Sequence, residues 1–122
     1  MLDIGFISKD GSLTNSVELT EDFYLWLAKS EFSKIGKSVR RKIQIDGEED
    51  QLSVVQLSKG NSKKLKAFFR DEVVRESDAV ITKLGDSPSK EEYQAGTYRL
   101  RKMLELLKCV ENENYQYLQR IS

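Results

Sequence analysis

Apolar and polar residues alternate from Leu2 to Ser8, with Leu2, Ile4 and Phe6 on one face, and Asp10-Gly11 follows shortly after. A period of two marks a half-buried strand, and Asp-Gly is a strong signal for a two-residue hairpin turn. A type I′ turn at Asp10-Gly11 sets the register: Ile4 faces Val17 and Leu2 faces Leu19, so both apolar pairs share one face. The same register brings Asp3 opposite Glu18, a like-charge pair suited only to a solvated face.

The period then changes. Thr20 is placed to cap a helix whose first turn holds Glu21 and Asp22, where the helix dipole favours negative charge. Phe23, Trp26, Leu27 and Ile35 form its apolar stripe, and Gly36 is the expected stop. A second hairpin is expected from Val39–Ile45 and Leu52–Leu57. Placing Ile45 opposite Leu52 and Ile43 opposite Val54 leaves Asp46 to Gln51 as a long acidic loop; a two-residue Asp46-Gly47 turn would set Ile45 against Glu48, and the longer loop is preferred. Arg40, Lys42 and Gln44 occupy the other face of that strand.

Leu65, Phe69, Val73, Val80 and Leu84 predict a helix of up to about six turns, with Ser77-Asp78 as its weak point and Gly85 just past its end. Pro88 and the Ser89-x-x-Glu92 capping box open another long helix, carrying Tyr93, Thr97, Leu100, Met103, Leu104, Leu107 and Val110. Tyr115, Leu118 and Ile121, at steps of three, suggest a short docked C-terminal helix. The order β-β-α-β-β-α-α reads as an α+β domain, about four antiparallel strands in two hairpins with three helices on one face.

Length and composition narrow the chemistry. At 122 residues the chain fits a single globular domain over 1–122, and Leu, Ile, Val and Phe supply 34 residues for its core. There is no histidine and one cysteine, Cys109. Imidazole-dependent nucleophile systems and the usual His/Cys zinc sites are therefore excluded, as is an internal disulfide. With no apolar leader and no apolar run approaching ~18 residues, a cytoplasmic protein without a membrane segment is expected. Gly36-Lys37-Ser38 resembles the end of a phosphate loop, but Glu31 stands where its first glycine belongs. The stretch Gln56-Leu57-Ser58-Lys59 fails as a metal-nuclease motif in the same way. Cys109 is expected to pack as a small hydrophobe, and Trp26, beside Tyr24, to be core.

The formal net charge is zero, from 20 basic and 20 acidic residues. Counted by segment, the zero is a sum of blocks. Residues 37–45 carry +4 (Lys37, Arg40, Arg41, Lys42) and residues 46–51 carry −4 (Asp46, Glu48, Glu49, Asp50). Residues 52–70 carry +5, Lys63 and Lys64 among them, and residues 71–86 carry −3. The acidic segment lacks the alternating ligand spacing of a calcium loop, so neither a metal nor a cofactor is expected. Sorted charge of this kind suits recognition of a protein surface, where complementary fields govern association rate and specificity. The expected function is a non-catalytic protein-binding module, a small cytosolic inhibitor or immunity-type protein that neutralises a toxin or enzyme. The alternatives are a nucleic-acid-binding or regulatory protein using the basic 37–70 surface, and a small carboxylate-dependent enzyme. Near-heptad steps in the last long helix also make it a candidate homodimer surface.

Overall fold

The structure, a computed structural model, describes residues 2–45, 47–85 and 87–121. Its strands are β1 (Leu2–Ser8), β2 (Thr14–Leu19), β3 (Ser38–Ile45), β4 (Glu48–Gln56) and β5 (Tyr115–Ile121), joined in one antiparallel sheet of order β2-β1-β5-β4-β3. The helices are α1 (Glu21–Lys29), α2 (Lys59–Leu84), α3 (Lys90–Gly96) and α4 (Tyr98–Glu111), with a 3-10 turn at Glu31–Lys34. The α+β class is as expected; among the described residues the sheet has a fifth strand and the helices number four. No helix among the described residues is long and apolar enough to cross a membrane.

The first hairpin has the expected register, Ile4 opposite Val17 and Leu2 opposite Leu19, with Gly11 at φ +74 in the turn. Asp3 does face Glu18; Glu18 is solvated, whereas Asp3 is half-buried. Thr20 caps α1 by accepting from the Phe23 amide, yet α1 stops at Lys29, well before Gly36. The Ser30 hydroxyl ends it, donating to the Leu27 carbonyl at 2.6 Å and accepting from the Phe32 amide at 3.3 Å. The tighter turn that follows drives Phe32 into the core.

The second hairpin corrects the sequence reading. Ile45 lies opposite Glu48 and Ile43 opposite Asp50, so the short turn rejected above is the one adopted, and Glu48, Glu49 and Asp50 belong to β4 instead of a loop. Gly47 has the positive φ, +79, that such a turn requires. Moving the register by four residues preserves parity, so every side chain keeps its face. The apolar pattern is blind to that shift, and the turn decides it. The hairpin also curls across the far face of the sheet, where Ile43, Val54 and Ile7 form a second small core flanked by Ile45, Leu52 and Tyr117.

α2 is unbroken from Lys59 to Leu84. Serine and aspartate inside a helix cost only a few tenths of a kcal/mol each, too little to interrupt one anchored by Leu65 and Phe69. The Ser89–Glu92 capping box is present, but the helix it opens ends at Gly96. Thr97 divides it: its hydroxyl donates to the Tyr93 carbonyl at 2.7 Å and its ψ is 1°. Tyr93 is left 54% exposed, while Met103, Leu106, Leu107 and Val110 of α4 reach the core. Of the near-heptad positions, Tyr93 is exposed, Leu100 and Leu104 are half-buried, and Leu107 packs in the main core with Leu65 and Phe69.

The largest correction concerns the C-terminus. Residues 115–121 form β5, the central strand, in place of a docked helix. A bulge explains the first of the misleading steps; the Ile121 side chain lies outside the described residues. Ser8 pairs with Tyr115 but Ile7 with Tyr117, so Gln116 is the extra residue. It rotates the strand enough that Tyr115 and Leu118, three apart, both pack on the main core, whereas Tyr117 joins the small one.

Candidate functional site

The β3–β4 hairpin carries most of the charge-sorted residues. Arg40, Arg41 and Lys42 are exposed on β3, Lys37 is exposed just before it, and Glu48, Glu49 and Asp50 are exposed at the start of β4. Asp46 lies outside the described residues. The antiparallel register gathers the acids at the tip and the bases along the stem, so one ribbon has a negative end and a positive end. Arg40 and Lys42 share one face with Ser38 and Gln44, while Arg41 points to the other.

Contacts within the hairpin neutralise little of this charge. Lys42 Nζ is 3.7 Å from Glu49 Oε1, with both side chains more than half exposed, a pair worth at most about 1 kcal/mol. Arg41 Nη2 donates to Gln56 Oε1 at 3.1 Å, and its guanidinium lies 5.9 Å from the Tyr117 ring centre. Among the described residues β3 is the end strand of the sheet, paired only with β4.

The start of α2 is fastened beside this stem. Ser58 caps the helix, and Asn61 Nδ2 donates to the Gln56 carbonyl at 2.9 Å. The Asn61 side chain lies so close to Gly36 that a Cβ there would come within 2.9 Å of it and 2.6 Å of Val55 Cγ1. Lys63 and Lys64 are exposed in the first turns of α2, which contain no acidic residue. The helix start is thus held at the base of the hairpin, beside Gly36 and Gln56.

Other residues singled out in the sequence have structural places. Trp26 is half-buried against the main core with the Arg99 guanidinium 5.1 Å from its ring centre, and Tyr24 also packs on that core. Cys109 is buried and accepts from Asn15 Nδ2 at 3.4 Å; burial raises its pKa, the opposite of an activated thiol. No group of three or more His, Cys, Asp or Glu among the described residues is placed to hold a metal ion.

Sequence reasoning missed Arg120. It sits on β5 opposite Ile4, turned inward, and its Nη2 donates to the carbonyls of Phe32 and Ile35, both at 3.0 Å. The guanidinium carbon lies 4.8 Å from the centre of the Phe32 ring, and Nε is buried without a hydrogen-bond partner. Burial pulls its pKa below the ordinary arginine value, with Tyr24 opposing the shift. Had residues 115–121 been read as a strand, the shared face of Leu118 and Arg120 would have exposed the arginine as an inward charge.

Comparison with family models, curated proteins and solved structures finds no match to this chain.

Proposed function

We propose that this protein is a non-catalytic binding module that docks a protein partner through the β3–β4 hairpin, in the manner of a small inhibitor or immunity protein. The reading rests on one observation: a paired, curled ribbon at the sheet's end carries Arg40, Arg41 and Lys42 along its stem and Glu48, Glu49 and Asp50 at its tip, all solvated. Two opposite charges at fixed separation orient an approaching partner as well as attract it, which contributes association rate and specificity. The lysines at the start of α2 add to the positive end. They also oppose the helix dipole, so an acidic partner surface would relieve a local repulsion. Acids on the same ribbon make a phosphate backbone the poorer occupant.

Two triple variants test the reading, Arg40→Glu with Arg41→Glu and Lys42→Glu, and Glu48→Lys with Glu49→Lys and Asp50→Lys. Affinity capture from cells that naturally make the protein, followed by mass spectrometry, should retain a partner on the wild type and lose it on both variants. Against the purified partner, association should slow roughly tenfold or more at low salt. Circular dichroism should show both variants folded. If both bind that partner as the wild type does, or if only a nucleic-acid probe binds, the reading fails.

A further inference from the structure

We propose that the open edge of β3 takes up an acidic, extended segment of the partner protein as an added strand. This strand addition rests on the docking proposed for the β3–β4 hairpin and specifies how the partner is held: by main-chain hydrogen bonds to β3, with its carboxylates lying along Arg40 and Lys42.

The register fixes which backbone groups are open. Ile45 pairs with Glu48 across a two-residue turn, and such a closing pair exchanges both of its backbone bonds. Alternation then directs the N–H and C=O of Val39, Arg41, Ile43 and Ile45 toward β4, and those of Ser38, Arg40, Lys42 and Gln44 away from it. The neighbouring strand agrees: the Leu57 amide donates to the Gln116 carbonyl at 2.7 Å, so odd positions there turn toward β5 and even ones toward β3. Among the described residues, Ser38, Arg40 and Lys42 make no backbone hydrogen bond on their outward side. At Gln44 the edge closes, because Gly11 of the first turn lies against its carbonyl oxygen. The open stretch, residues 38–42, is about 17 Å long and fits a strand of roughly five residues.

Charge chooses the occupant. A strand laid on this edge has one row of side chains beside Arg40 and Lys42 and the other beside Val39, which is 43% exposed. Lys37 is exposed at the entrance. Among the described residues the one acid within ion-pair distance of Lys37, Arg40 or Lys42 is Glu49, 3.7 Å from Lys42 in a solvated pair. A second copy pairing β3 on β3 would set arginine and lysine against arginine and lysine, which disfavours it. The other end strand, β2, carries a single acid, Glu18, too little to match three bases. A segment that alternates acidic and apolar residues suits both rows, with carboxylates beside Arg40 and Lys42 and apolar side chains beside Val39.

The probe is a capped peptide of alternating glutamate and valine, three of each, titrated into the full chain at low salt and followed by nuclear magnetic resonance. On binding, the amide hydrogens of Arg40 and Lys42 should become protected from exchange, while that of Arg41, already bonded to β4, should change little. Arg40→Glu with Lys42→Glu should weaken binding by roughly tenfold or more, as should lysine in place of the peptide's glutamates. Two methylated peptides separate strand pairing from charge alone, one with N-methyl groups on its glutamates and the other on its valines. Only alternate residues of an added strand turn their N–H toward β3, so the two should differ in affinity by roughly tenfold. Equal affinity for the two overturns strand addition and leaves docking of the hairpin by charge, which stands or falls by the partner captures. Absence of binding up to about 1 mM peptide also overturns the proposal. So does protection of the Arg40 and Lys42 amides by self-association of the chain alone, which would make a second copy the occupant.

Discussion

Gly11→Ala tests how the second hairpin is seated on the first. Gly11 is buried at φ +74, and a Cβ at that position would overlap the Gln44 carbonyl oxygen of β3. Gly47, in the β3–β4 turn, has nearly the same backbone, φ +79, with nothing within 4 Å of where its Cβ would stand. Both alanine substitutions carry the strain of a left-handed L-residue, about 1–2 kcal/mol, and both reduce the freedom of the unfolded chain to the same extent. Only Gly11→Ala must also push β3 away. That movement lifts Ile43, 3% exposed, from its contacts with Ile7 and Val54. Full exposure of such a side chain costs about 1.5–3 kcal/mol. Gly11→Ala should therefore destabilise by about 2.5–5 kcal/mol and Gly47→Ala by about 1–2. Urea unfolding followed by Trp26 fluorescence measures both. Equal midpoints and slopes for the two variants would refute the contact between the turn and β3.

Two further outcomes follow from the strand at the centre and the first turn. Leu118 is 1% exposed in the middle of the sheet, so Leu118→Ala should cost about 2–5 kcal/mol; amides 117–120 should exchange as slowly as those of α4, and fast exchange there would contradict a central β5. Asp10 accepts from the Ser12 amide and from the hydroxyls of Ser12 and Ser8, which lowers its pKa from 3.8 to about 2. Because the folded value lies below the unfolded one, this contribution is fully present above about pH 4 and disappears as pH falls through about 2. A carboxyl-carbon titration that gives Asp10 an unshifted value would show the turn is held otherwise.

The elements that could be read from the chain are those governed by neighbours in sequence. Asp10-Gly11 and the flanking alternation define the first hairpin and its register. Thr20, Ser89 and Gly85 mark helix ends because capping is a matter of a few adjacent backbone groups. Which residues of β3 and β4 share a face was legible as well, since parity survives a four-residue slip; their register was not, nor that Val55 enters the main core while Ile43 and Val54 line the small one, and the acidic segment was misread as a loop. The charged hairpin residues were found because charge blocks are visible in one dimension. Arg120 was not, because its inward direction depends on β5 being a strand.

By itself, then, the sequence determined which residues alternate, which helices start where, and which charges lie together, all consequences of bonds and dihedrals within a few positions. Only the tertiary structure decided that residues 115–121 enter the middle of the sheet. The Gln116 bulge gives that segment a helix-like spacing, and two neighbouring strands provide the hydrogen bonds that a local pattern cannot show. The same long-range pairing bends the second hairpin over Ile7 and brings Arg120 to the carbonyls of Phe32 and Ile35. Those contacts join residues up to 118 positions apart, Asp3 and Ile121, and their energy comes from surfaces that exist only once the chain has folded.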